Sequence, residues 1–145
     1  MSLKDAFPGG QFRDPASRVT IQNVEAKLGV KFPEALVSVY LECDGFNEPQ
    51  GNATYLRPLD LHDATWSLVS TTKFWWEEWP KIMQNPPDLK PYVFFGNSSG
   101  DEAWGIRCEP PYDIVAYHHH MGHEIEEVGQ DILELYLADI KLYEN

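Results

Sequence analysis

The chain has 145 residues, with 11 Lys+Arg against 23 Asp+Glu and a formal net charge of −12 at pH 7. Phosphate-backbone binding gains its affinity from counterions displaced by clustered Lys and Arg. No such cluster is present, so direct nucleic-acid binding is excluded, and attraction to anionic membrane surfaces is excluded with it. At 43% hydrophobic and 23% charged residues, the composition is that of one globular domain.

Residues 1–16 contain Pro8, Gly9, Gly10 and Pro15 and read as an irregular N-terminal arm; residues 17–145 are expected to form a single domain. Thr20 is the expected N-cap of a first helix, with Val19 and Val24 as a hydrophobic staple. Ile21, Val24 and Leu28 share one face at helical spacing, and Gly29 is the expected left-handed stop. Pro33 fits the first turn of a second helix, whose stripe is Leu36, Val37, Tyr40 and Leu41, and Asp44-Gly45 ends it. Thr54 to Leu59 reads as a strand that Pro58 confines to an edge or a strand end. Thr72 to Trp79 predicts a turn or two of helix closed by Pro80, after an ambiguous stretch containing Trp66, Leu68 and Val69.

Tyr92-Val93-Phe94-Phe95-Gly96 is an apolar strand, and Asn97 to Asp101 is dense in turn formers. Ala103 to Cys108 is the return strand of a hairpin, and Asp113 to His118 is a third strand. A polar segment then runs to Gly129. A last helix starts near Asp131 and carries Ile132, Leu133, Tyr136, Leu137 and Ile140. Two helices, a strand, a Trp-rich region, an antiparallel meander and a helix make an α+β fold, a mostly antiparallel sheet flanked by helices.

The acidity is uneven. Residues 101–145 hold 11 acidic and 2 basic side chains, a net of −9, and residues 1–100 hold 12 and 9, a net of −3. Such a surface steers a basic partner or serves general solubility. Cys43 and Cys108 are the only cysteines, too few for a disulfide-stapled secreted domain. No N-terminal stretch has signal-peptide order, and no apolar run nears the roughly 20 residues that span a bilayer. The expected setting is the cytoplasm, with two inert thiols.

Three stretches in this order resemble a known family. Ile21 to Pro33 resembles the "E–x–x–L–G–x–x–[LF]–P" opening of the SUKH superfamily, matched here by Glu25, Leu28, Gly29 and Pro33. Tyr40 to Gly45 resembles its "[YF]–L–x–x–[ND]–G" helix end, with Asp44 and Gly45. Phe95 to Trp104 resembles its "[FI]–G–x–x–x–G–D–x–[YFW]" hairpin, with Gly96, Gly100 and Asp101 in place and Trp104 one residue past the aromatic position. The resemblance covers about residues 18–140. That superfamily takes in Smi/Knr-type cell-wall synthesis regulators, Syd-like proteins and bacterial toxin-immunity proteins. The resemblance implies an antiparallel sheet flanked by helices and a binding role without catalysis. The Trp-rich segment 74–79 and the His cluster 118–123 depart from the pattern.

Those two departures carry the candidate chemistry. Neutral imidazoles ligate zinc and nickel. If the third strand continues, His118 and His120 share a face, His119 points away, and His123 returns over Gly122. No C-x-x-C or H-E-x-x-H framework supports a metal, and the competing readings are a polar turn at a strand end and a pH-sensitive contact. On a helix Trp75 and Trp79 stack on one face and Trp76 turns aside, as core packing or as a partner-binding patch. Asp101 and Glu102 after Gly96–Gly100 would repel phosphate, so that loop is a hairpin turn rather than a phosphate cradle. Neither cysteine sits in a nucleophile signature, and no G-x-S-x-G is present.

The expectation is therefore a non-catalytic protein that needs no cofactor. It would neutralise a basic toxin, such as a nuclease, by direct binding. Asp101, Glu102, Glu124, Glu126 and Glu127 would supply the charge, and Trp75, Trp76 and Trp79 the anchors. The alternatives are a regulatory adaptor and a small metal-binding protein built on His118, His120 and His123.

Overall fold

In the computed structural model, residues 1–60, 66–120 and 122–142 are described. Ser17 rather than Thr20 caps the first long helix. Its Oγ accepts from the Thr20 amide at 3.1 Å, and helix α2 runs Arg18–Leu28. Val19 is 65% exposed, so the expected staple does not form. Gly29 closes the helix in the left-handed conformation at φ 68°, as its lack of a Cβ allows. Pro33 caps the next helix, α3 (Glu34–Glu42).

The first sixteen residues are not an irregular arm. Ser2 caps a short helix, α1 (Leu3–Ala6), and Gln11–Phe12 forms strand β1. Leu3 and Phe7 are both buried in the main core, and the Leu3 amide donates to Glu42 Oε1 at 3.1 Å. β1 pairs antiparallel with β2 (Phe46–Asn47), and β2 with β3 (Thr54–Leu56). The i, i+4 pair Leu3/Phe7 behind a Ser cap was the available signal; Pro8-Gly9-Gly10 masked it. β3 stops two residues before Pro58, which has no N–H to give a ladder.

Helix α4 (Leu68–Lys73) is capped by Ser67. It continues without a break into a widened π turn, Phe74–Glu78, and then α5 (Trp79–Ile82). Pro80 therefore does not close this helix. It lies in the first turn of α5, where a missing N–H costs little.

The second sheet is an antiparallel meander in the order β4 (Tyr92–Asn97), β5 (Ala103–Arg107), β6 (Ile114–Tyr117), β7 (Ile125–Gly129). The segment expected to be only a polar connection thus contains an edge strand. Antiparallel pleating sends alternate residues to opposite faces. Val93, Phe95, Trp104, Ile106, Ile114 and Ala116 join the main core, together with Ile21, Val24 and Leu36 of the helices. Phe94, Val115 and Tyr117 join a second cluster beneath Trp75. Burial on both faces explains the unbroken apolar run of β4.

The last helix, α6 (Ile132–Leu142), places Tyr136 in the main core. The Tyr55 and Tyr136 rings stack at 4.7 Å, and Trp104 lies 5.3 Å from Tyr55. β3 meets β4 where the Arg57 amide donates to the Phe95 carbonyl at 2.8 Å. None of the described helices is long and apolar enough to cross a membrane. The architecture is a mixed α+β domain with two antiparallel sheets.

Candidate functional site

The β4–β5 turn is built from its own polar side chains. The Glu102 amide donates to Ser98 Oγ at 3.0 Å, and the Asp101 amide donates to the Ser98 carbonyl at 3.0 Å. Asp101 takes a positive φ of 67°, which an Asp tolerates better than most residues. The Ser99 amide and Oγ both donate to Asp139 Oδ2 of α6, at 3.1 and 2.9 Å. The turn is thereby fixed to the core, with Asp101 exposed at its tip.

β6 ends at Tyr117, and the chain turns at once. The His118 amide donates to the Glu124 carbonyl at 2.9 Å, and the His123 amide to the His118 carbonyl at 3.1 Å. The strand alternation expected for the histidines is broken there. His118 Nε2 lies 2.9 Å from Glu126 Oε1, and its Nδ1 lies 3.9 Å from Glu102 Oε1. His119 and His120 both turn to Asp101, with Nε2 at 2.9 Å from its carbonyl and 2.8 Å from its Oδ2 respectively. His123 instead sits near Trp79, with ring centres 6.3 Å apart.

The metal candidates change accordingly. His118, His120 and His123 do not converge. Among the described residues, Asp101, His119 and His120 are the group whose ligand atoms lie within 4.8 Å of one another. Both of those imidazoles are already hydrogen-bonded to Asp101.

The Trp segment meets this turn. Trp75 and Trp79 share a face with ring centres 5.2 Å apart, as the helical spacing predicts. Trp76 turns aside and its Nε1 donates to the Tyr92 carbonyl at 2.8 Å. Trp79 Nε1 donates to Tyr117 Oη at 2.9 Å. The Trp75 ring lies 5.2 Å from His119. The two features that depart from the family pattern are therefore neighbours in space. Trp75 is a core residue at 7% exposure, whereas Trp76 and Trp79 are only half-buried.

Between them opens a groove of about 520 Å³, lined among others by Arg57, Trp66, Thr71, Trp75, Trp79 and His119, with Asp101 at its edge. Trp66 is 61% exposed, and the Arg57 guanidinium lies 5.8 Å from its ring centre. Sequence reasoning missed Arg57, Trp66 and Thr71. Nothing in their local pattern marks them: Arg57 follows β3, Trp66 precedes the Ser67 cap, and Thr71 lies within α4.

The carboxylates are not gathered as a single set. Glu102 and Glu126 flank His118, and Asp101 lies beside His119 and His120. Glu127 pairs with Val115, whereas Glu126 pairs with Ala116. The two glutamates therefore leave opposite faces of β7. Glu124 is exposed in the closing turn.

The thiols carry no nucleophile. Burial pushes Cys43 up to about 11 and Cys108 up to about 12, so both stay protonated at neutral pH.

The residues carrying the family resemblance have structural roles. Glu25 Oε2 accepts from the Phe32 amide at 2.6 Å and ties the inter-helix link to α2. Asp44 Oδ1 accepts from the Leu59 amide at 2.8 Å. Leu28 and Trp104 are core, and Gly29 and Gly45 hold positive φ. At Gly96 a Cβ would stand 2.0 Å from the Tyr55 carbonyl oxygen. No curated protein matches the chain. A family model described as SMI1 / KNR4 family (SUKH-1) matches residues 15–137. That span takes in both sheets from β2 onward, every motif residue above and the groove between the Trp helix and the His turn. The chain thus belongs to the SMI1 / KNR4 family (SUKH-1).

Proposed function

We propose that this protein is a non-catalytic binding domain of the immunity type, which neutralises a toxin by occupying it. The observation that supports this reading is the convergence of the half-exposed Trp79, the exposed Trp66 and the Asp101–His119 contact around one groove. Aromatic side chains at a concave site are the usual anchors of protein interfaces. Charged groups at the rim raise the rate of encounter with an oppositely charged partner. Asp101, which lines the groove, and Glu127, whose strand partner Val115 belongs to the cluster beneath Trp75, are the carboxylates placed to do this. Glu102 and Glu126 flank His118, and Glu126 leaves the other face of the edge strand, where charge also deters unwanted strand pairing. The raised pKa of both thiols, one buried and one half-buried, favours binding over covalent chemistry. In the cell, such a protein would act in the cytoplasm.

The test is co-expression with the product of the adjacent gene, read by co-purification and by growth rescue. Rescue that weakens when Trp79→Ala is introduced supports the reading. Co-purification without rescue favours the family's other role, a regulatory adaptor. Absence of both removes the immunity reading.

A further inference from the structure

Buried polar atoms in folded proteins almost always have a partner, and each exception asks for a reason. Among the described residues three such side-chain atoms have none: Arg57 Nε, Thr71 Oγ1 and Trp75 Nε1. All three belong to side chains lining the groove of about 520 Å³. Thr71 and Trp75 are 5% and 7% exposed. A second cavity of about 550 Å³, between Phe32, Ala35, Ile106, Cys108 and Tyr112, has no such atom in its lining.

The chemistry of the three atoms is one-sided. The Arg57 and Trp75 nitrogens can only donate, and the Thr71 hydroxyl can donate. What they lack is an acceptor. Arg57 is also a half-buried cation with no carboxylate within ion-pair distance among the described residues. Its Nη1 donates to the Trp66 carbonyl at 3.1 Å and its Nη2 to Asn97 Oδ1. Asp101 is held one residue away, by Asn97 Nδ2 at 3.3 Å. In a chain carrying −12, a guanidinium kept from its carboxylates is free for an external one. The remaining walls, Phe74, Trp75 and Trp79, are aromatic and suit an apolar body.

We propose that this groove binds the C-terminal residue of a partner chain, with the α-carboxylate taken by Arg57, Thr71 and Trp75 and an apolar last side chain seated on Trp75 and Trp79. A chain end supplies a carboxylate and an apolar side chain on adjacent atoms, which an internal Asp or Glu does not. Capture of a C-terminal carboxylate is an established mode of peptide recognition. This assignment rests on the reading of this end of the sheet as the partner-facing site.

The test uses the full chain and a mixed pool of pentapeptides ending in Leu, Ile, Val, Phe or Met, each made as free acid and as amide. Retention is measured by equilibrium dialysis and mass spectrometry. Free acids should be retained at least tenfold more than their amides, and Arg57→Gln should remove that preference. Arg57 also holds Trp66 and Asn97, so a second variant guards against misfolding. Thr71→Val replaces an unpartnered buried hydroxyl by a methyl, so it should leave the thermal midpoint unchanged or raised while cutting acid retention about tenfold. Equal retention of acids and amides, or of neither, overturns the assignment. So does a peptide amide with an internal Asp or Glu competing as well as the best free acid, which would make a chain end unnecessary. Growth rescue tests the binding reading separately and can succeed while this assignment fails.

Discussion

Ser99 and Asp139 join the tip of the β4–β5 turn to the C-terminal helix: the Ser99 amide and hydroxyl both donate to one carboxylate oxygen. Tyr55 Oη donates to the same atom at 2.6 Å. A single carboxylate in the core therefore sets the position of the turn carrying Asp101, and with it one wall of the groove. Burial, together with the Asp139 hydrogen bond and charge, holds the Tyr55 hydroxyl protonated far above its ordinary range.

Replacing Asp139 by Ala leaves three donors without their acceptor, two of them on the β4–β5 turn. Each orphaned buried group costs about 1–3 kcal/mol, and the turn can recover part of this from water. We expect a loss of about 3 kcal/mol in urea unfolding. Asp101→Asn, at the exposed tip of the same turn, should stay within about 0.5 kcal/mol. Similar losses in both variants would contradict the distinction drawn between the two acids.

Gly96→Ala drives a Cβ to 2.0 Å from the Tyr55 carbonyl oxygen. Backbone cannot yield as a flexible side chain can, so the sheets must separate locally. Overpacking typically costs 1–3 kcal/mol, and a clash with backbone belongs at about 3 kcal/mol. Denaturant unfolding measures it; a midpoint equal to wild type would show that β3 and β4 are less tightly held than the Arg57–Phe95 hydrogen bond indicates.

His119 gives the fold a pH dependence of known sign. Burial against Trp75 and Tyr117 lowers its pKa, and the His120 and His123 charges push the same way; the hydrogen bond to the Asp101 carbonyl and the Asp101 charge oppose them. The unfolded chain thus takes up this proton at higher pH than the folded one. Stability from neutral His119 is present above the ordinary histidine value of about 6.5 and is lost as pH falls below it. Urea midpoints between pH 8 and 5 should fall more steeply for wild type than for His119→Gln. Parallel curves would place the pH dependence on other groups.

Much of the scaffold was legible because its signals are local. Gly29 after Leu28, the two-faced run of β4, and the turn formers from Asn97 to Asp101 each state their geometry within a few residues. Trp75 and Trp79 share a face because 3.6 residues per turn puts them there. What was hidden depends on distant contacts. β1 and β7 are short or polar strands made by their neighbours, and α1 is four residues held by the core. His119 and His120 side by side on Asp101 required knowing that β6 stops at Tyr117. The groove could not be read, since Thr71 and Trp75 on one continuous helix meet Arg57 only in the folded chain, where their unpartnered atoms are created.

Charge at the rim should appear in kinetics before it appears in affinity. Asp101→Lys, Glu124→Lys and Glu127→Lys together should slow association with the co-purified partner about tenfold at low salt and flatten its salt dependence. The dissociation rate should change less. An association rate indifferent to the three reversals would assign the acidity to solubility alone.

The central claim is that one end of the four-stranded sheet is the surface by which this protein acts. Hydrogen–deuterium exchange of the chain, alone and with the co-purified partner, tests it most directly. Protection should concentrate in residues 66–82, 97–102 and 118–126. Protection confined to α2 and α3, with these three segments exchanging as in the free chain, would contradict it.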